Sequence, residues 1–131
     1  MNLKVLNKTE FGDCKLFDCE NGILLLQFEN GAHLDLEETI KFVSFGMEFI
    51  NFEQRRIITD FIGRKNVFTE EAKNYVAHDP QFNGVKICDA FVIDSYISSI
   101  LAGIYLRFFK PLTKTKVFSK LDDAIGWVLK Q

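Results

Sequence analysis

At 131 residues, with 47% hydrophobic and 26% charged side chains, the chain has the length and balance of one globular domain able to bury a core. A net charge of −2 gives no general reason to expect nucleic acid or an anionic membrane as partner. Three cysteines, odd in number and without paired spacing, suit a reducing cytoplasm better than a disulfide framework.

The opening MNLKVLNKTEFGDC lacks the apolar run of a signal peptide. The longest apolar region, residues 90–109, is interrupted by Asp94, three serines and Arg107, so no transmembrane segment is expected. Composition is unusual in one respect, 14 Phe against 3 Tyr and 1 Trp. Phe has no polar handle, so this excess implies a thick core, an apolar pocket or a sticky surface. Charge is also uneven: residues 1–94 hold 10 basic and 16 acidic side chains, whereas residues 95–121 hold 5 basic and none acidic.

In chain order, residues 3–6 and 14–19 are short, weakly patterned edge-strand candidates. Asn21-Gly22 is a hairpin signal leading into the apolar strand Ile23–Phe28, and Asn30-Gly31 is a second turn of the same kind. The alternation Ala32-His33-Leu34-Asp35-Leu36 after it completes a three-stranded antiparallel opening over about residues 14–36, with His33 outward. Asp35, with Glu38 three residues on, caps a helix running to about Phe49. On it Leu36, Ile40, Val43, Met47 and Ile50 form a docking stripe, with Phe42, Phe45 and Phe49 in a flanking one. Both stripes read first as core; the alternative for the second is a Phe-lined ligand groove or a partner surface, which self-association as a homodimer would hide. The competing cover is residues 1–17 folded back over it.

Arg55–Thr59 reads as a strand closed by Asp60. Thr69 caps a helix over Glu70–His78, and Pro80 stops it. Val85–Ile93 is nearly all apolar, as a central strand covered on both faces would be. Asp94-Ser95 caps the next helix, in which Ile97, Ile100, Leu101, Ile104 and Phe108 form the inward face. Ser95, Ser99 and Gly103 form a small-residue line expected to pack closely on backbone. Lys110-Pro111 ends that helix, Lys116–Phe118 is a strand, and Ser119 with Asp122 caps a last helix docked by Leu121, Ala124, Ile125 and Val128. The chain is thus expected to be one α/β domain over residues 1–131, residues 1–20 being its weakly patterned start. A mixed sheet of four to six strands carries about four helices.

From about Gly22 to Leu129 this order resembles the STAS/SEC14-type, SpoIIAA-like α/β domains of bacteria. The residues carrying the resemblance are GILLLQF followed by HLDLEETIKFV, IITDFIG with FTEEAKNYVA, and above all AFVIDSYISSILAGIYLRFFKP followed by TKVFSKLDDAIGWVL. It implies a non-catalytic regulatory or interaction module, with the carrying of a lipid-like ligand as the alternative. Some such domains are switched by serine phosphorylation at a helix start. Here the chain reads DFIGRKN after Thr59, which leaves Thr69 and Ser95 as the hydroxyls for such a role.

The chemistry-bearing residues are few. His33 reads as an exposed strand residue, and His78 sits in a last helical turn, where imidazole suits the dipole. Cys14 and Cys19 point to opposite faces of their strand and cannot share a metal, and Cys88 is a small hydrophobe within its strand. No catalytic motif, cofactor fingerprint or metal set is present. Asp60, Asp94, Ser95 and Ser119 each follow a strand expected to be parallel, which puts all four along the carboxyl edge of the sheet, where open α/β sheets bind ligands. With Phe42, Phe45 and Phe49 they are the candidate ligand or partner residues.

Overall fold

The computed structural model describes residues 3–94 and 96–131, and for 96–99 and 101 the backbone alone. Six strands form one sheet whose order in space follows their order in the chain: β1 (Val5–Phe11), β2 (Cys14–Cys19), β3 (Ile23–Phe28), β4 (Arg55–Asp60), β5 (Lys86–Val92) and β6 (Thr115–Phe118). β1 to β3 are antiparallel and β3 to β6 parallel. The three-residue loop Glu20–Gly22 joins the paired Cys19 and Ile23, with Asn21 and Gly22 at positive φ, 62° and 66°, a conformation that Asn and Gly tolerate.

The antiparallel opening spans residues 5–28 and not 14–36. A turn at Gly12-Asp13, with Gly12 at φ 54°, makes β1 a full strand. Its pattern is faint because an edge strand buries little on either side. The segment after Gly31 is too short to pair before the helix cap at Asp35, and it keeps only a bridge between Leu34 and Phe68.

Five helices connect the strands: α1 (Leu36–Phe49), α2 (Glu70–His78), α3 (Pro80–Val85), α4 (Tyr96–Phe109) and α5 (Leu121–Val128). Asp35 and Glu38 form the expected reciprocal capping box. α2 ends at His78, ahead of Pro80, as expected, and a further helix begins there. Pro80 occupies the first turn of α3, where its missing N–H leaves nothing unpaired, and the Asp79 carboxylate accepts from the Phe82 N–H at 2.9 Å. The residue at the N-cap of α5 is Lys120, with no side-chain cap bond; Ser119 is exposed one residue earlier.

Successive right-handed crossovers between neighbouring parallel strands place α1 to α4 on one face. There Leu16, Leu24, Leu26, Phe28 and Ile57 of the sheet meet Phe42, Val43 and Met47 of α1 and Phe82 and Val85 of α3. On the back face α5 is the one helix, and its Ala124, Ile125 and Val128 close over Ile23, Leu25, Ile58, Cys88, Ala90 and Val92. Arg56 fastens that helix. Its Nε donates to the Val128 carbonyl at 2.9 Å and Nη2 to that of Gln131 at 3.0 Å, satisfying carbonyls that a helix end leaves unpaired.

Two helices present faces other than those the periodicity suggests. On α1 the docking arc is Thr39, Phe42, Val43 and Met47, while Ile40 is exposed. Phe42 is therefore core. Phe45 is half-buried beneath Phe11 of β1, ring centroids 4.9 Å apart, so the N-terminal hairpin covers within one chain much of what had been assigned to a dimer. On α4, Ile100, Ile104 and Phe108 point outward, 48, 43 and 73% exposed. The inward residues are Ala102 and Tyr105, and the Tyr105 ring lies between those of Phe91 and Phe109. This helix is apolar almost all round, so spacing could not choose its side. Gly103 faces open space, with nothing within 4 Å of an added Cβ, and approaches no backbone. The side chains of Ile97, Ser99 and Leu101, and all of Ser95, lie outside the described residues.

Candidate ligand-binding cavity

Between α1, α2 and α4, over the carboxyl-end half of β3, β4 and β5, lies a cavity of about 370 Å³. Alternation along the strands dictates its floor, because Leu26 and Phe28, Ile57, Thr59 and Phe61, and Asp89 and Phe91 all point to this face. Phe42 and Val43 of α1, Val76 of α2, Phe82 of α3 and Ala102 and Tyr105 of α4 form the walls, and the segment 64–68 rims one end. A continuous run of rings lines it. Phe42 meets Phe28 at 5.6 Å, Phe28 stacks on Phe61 at 5.9 Å, Phe61 meets Phe91 edge-on at 5.6 Å, and Phe91 meets Tyr105 at 5.6 Å. Phe68 stands edge-on to both Phe28 and Phe61. Such offset and edge contacts are the favourable ones for aromatic rings, so the wall holds its shape without filling the space.

One pair of charges lies in this apolar floor. Lys86 Nζ donates to Asp89 Oδ2 at 2.8 Å, and the two side chains are 2 and 5% exposed. The ammonium also lies 4.2 Å from the centroid of the Phe82 ring. Among the described residues Asp89 Oδ1 has no hydrogen-bond partner. The adjacent Tyr105 hydroxyl is pushed well above the ordinary phenol range by burial and by the Asp89 charge. At the opening stand Arg64, Lys65, Asn66 and Lys73.

Of the described candidate ligand or partner residues, Phe42 alone lines this cavity; Phe45 and Phe49 pack against the core beside it. Asp60, Asp94 and Ser119 lie along the carboxyl edge as their strand positions imply, since β4, β5 and β6 are parallel and in register there. They are not gathered into one site. Asp60 lines a separate polar hollow of about 170 Å³, and its Oδ1 accepts from the Ile62 N–H at 2.9 Å. Asp94 accepts from the Gly63 N–H at 2.9 Å, tying the end of β5 to the loop after β4. Thr69 Oγ1 caps α2 by accepting from the Ala72 N–H at 3.2 Å.

The remaining reactive groups are dispersed. His33 Nδ1 lies 2.7 Å from the Asn66 carbonyl, and the His78 ring contacts Asn74 and the Lys110 carbonyl. Cys14 and Cys19 belong to opposite cores, as their spacing requires. Burial pushes the Cys14 thiol up to about 12 and the Cys88 thiol to about 11, so neither is a ready thiolate at neutral pH. Among the described residues no three His, Cys, Asp or Glu side chains converge as a metal set.

The Lys86–Asp89 pair was missed by reading residues 85–93 as plain apolar strand. A signal was available: a strand covered on both faces cannot expose a carboxylate, so Asp89 required a buried partner, and Lys86 is the nearest cation in sequence.

Residues 17–131 match a family described as a domain of unknown function, DUF7793. The chain belongs to that family. The match takes in every element that lines the cavity and leaves out β1, whose Phe11 only backs the outer side of Phe42 and Phe45. No curated protein and no solved structure matches this DUF7793 chain.

Proposed function

We propose that this protein is a non-catalytic carrier or sensor that takes a small apolar or lipid-like ligand into the cavity between α1, α2 and α4. The cavity itself carries the reading. A 14-residue helix resting on a sheet normally fills the space beneath it, yet here a space of about 370 Å³ persists, walled by Phe rings. Its place over the carboxyl ends of parallel strands is where open α/β sheets receive ligands. The absence of catalysis is supported by histidines turned to carbonyl groups and thiols held protonated. The resemblance to STAS/SEC14-type domains belongs to the same proposal, supported by the mixed sheet and its β–α order.

Native mass spectrometry of the purified protein is the direct test. An added apolar mass is expected, released by organic solvent, and an Ala102→Trp variant that fills the cavity beside Tyr105 should lose it. A chain with no added mass and no uptake of an apolar dye at micromolar concentration would rule the reading out.

A specific observation favours interaction with a second copy as well. Ile100, Ile104 and Phe108 follow one another at four-residue steps along α4, all exposed, with Phe108 at 73%. A two-fold axis near Ile104 lays this stripe on itself, with Ile100 against Phe108 of the second copy. Sedimentation should show a dimer at tens of micromolar that Phe108→Glu converts to a folded monomer; an unaltered chain already monomeric there ends this reading.

A further inference from the structure

Resting on the reading of the cavity as a ligand site, we propose that the ligand is an amphipathic anion. Its apolar chain lies among the Phe rings, and its carboxylate or phosphate head sits at the mouth against Arg64, Lys65 and Lys73. In a chain of net charge −2 the lining is inverted in sign, with four cations, Arg64, Lys65, Lys73 and Lys86, against the single acid Asp89. Asp89 and Lys86 neutralise each other on the floor. The other three charges therefore act on whatever occupies the opening.

Arg64 is the best placed of them. Its Nε donates to the Phe28 carbonyl, and its Nη1 donates to Asn30 Oδ1 at 2.7 Å and the Ile62 carbonyl at 3.2 Å. Three neutral acceptors fix the guanidinium without cancelling its charge, so its orientation is set before a ligand arrives. Asp60 and Glu29 share a neighbouring hollow with Arg64, but among the described residues neither lies within ion-pair distance of it. Lys65 and Lys73 likewise make no ion pair among the described residues. Arg presents a fork suited to carboxylate or phosphate oxygens, and two mobile ammonium groups beside it can follow a head of either shape. A cationic head would meet three like charges, and a fully apolar ligand would leave them unused.

Calorimetric titration with decanoate, methyl decanoate and decyl phosphate tests this. The acid and its ester share a chain and differ in charge. At low salt decanoate should bind roughly tenfold or more tightly than the ester, and the difference should narrow as salt rises. Lys65→Gln at an exposed position and Lys73→Gln at a half-buried one, each keeping part of the aliphatic side chain, should each weaken decanoate severalfold and leave the ester unchanged. Decyl phosphate binding above decanoate supports the proposal with a phosphorylated lipid as the source, and the reverse order supports it with a free carboxylate. Ester binding equal to acid binding, insensitive to salt and to both lysine variants, overturns the anionic head while leaving the cavity a ligand site. Failure of all three probes overturns both.

Discussion

Replacing Lys86 by Met tests whether a charge pair is in fact sealed in the cavity floor. Met matches the length of the lysine stem and keeps a polarisable group over the Phe82 ring, so packing changes little. What changes is Asp89. Among the described residues its Oδ1 has no donor, and Lys86 Nζ is the donor to Oδ2 at 2.8 Å. The variant therefore leaves a carboxylate, 5% exposed, without a side-chain donor among the described residues. Removing one partner of a buried pair costs about 3–5 kcal/mol, a large share of the roughly 5–15 kcal/mol that holds a domain folded. Adding Asp89→Leu removes the stranded charge and should recover most or all of that loss, because a buried pair is worth little against an apolar pair of similar volume. Urea unfolding followed by Trp127 fluorescence measures the full double-mutant cycle, since Trp127 packs near Phe118 with the back-face core, away from the substitutions. A loss below about 1 kcal/mol for Lys86→Met alone would mean that water reaches the carboxylate, and the sealed floor would have to be abandoned.

Three further outcomes are expected. Ile104→Ala on the exposed side of α4 should cost under about 1 kcal/mol, whereas Ile125→Ala, fully buried on the inner face of α5, should cost about 2–5 kcal/mol; equal losses in denaturant titration would contradict the assigned faces. Gly103→Ala should raise the melting temperature through about 0.5–1 kcal/mol of helix preference, because an added Cβ meets nothing within 4 Å; a lowered value would reveal a close approach. Stability should also decline at alkaline pH. The folded-state values of Cys14 and Cys88 are raised from 9.0 to about 12 and about 11, so their contribution is complete below pH 9 and is lost as pH rises toward those values, when the unfolded chain ionises first. Cys14→Ala and Cys88→Ala together should flatten that slope in pH-dependent unfolding.

Where local chemistry decides structure, the amino-acid order was readable. Asp35 with Glu38, Thr69, Asn21-Gly22 and Lys110-Pro111 each act within a few residues and appear where expected. Faces were harder. Ile40 and Phe42 are both apolar and two residues apart, and the choice between them depends on Phe11, which arrives from a different strand. On α4 nearly every position is apolar, and only the ring ladder Phe91–Tyr105–Phe109 determines which side turns in. A groove expected from Phe42, Phe45 and Phe49 could not name the Phe residues of this cavity, which come from β3, α1, α3 and β5 and from the segment 61–68, brought together only by tertiary folding. The carboxyl-edge acids Asp60 and Asp94 lie where their strands end, and both are taken up by one loop, since each holds a backbone N–H of the 62–63 turn.

The one-sided placement of the first four helices has a consequence for how the chain must be handled as it is made. Every strand of the sheet precedes α5 in synthesis, so the back face is complete before anything can cover it. Ile23, Ile58, Cys88, Ala90 and Val92, all essentially solvent-free in the finished molecule, stay open to other chains until eight more residues have emerged and Arg56 has gripped their end. A product cut short before Leu121 would display that apolar surface permanently, between two unpaired strand edges, in the form that chaperones retain and proteases clear.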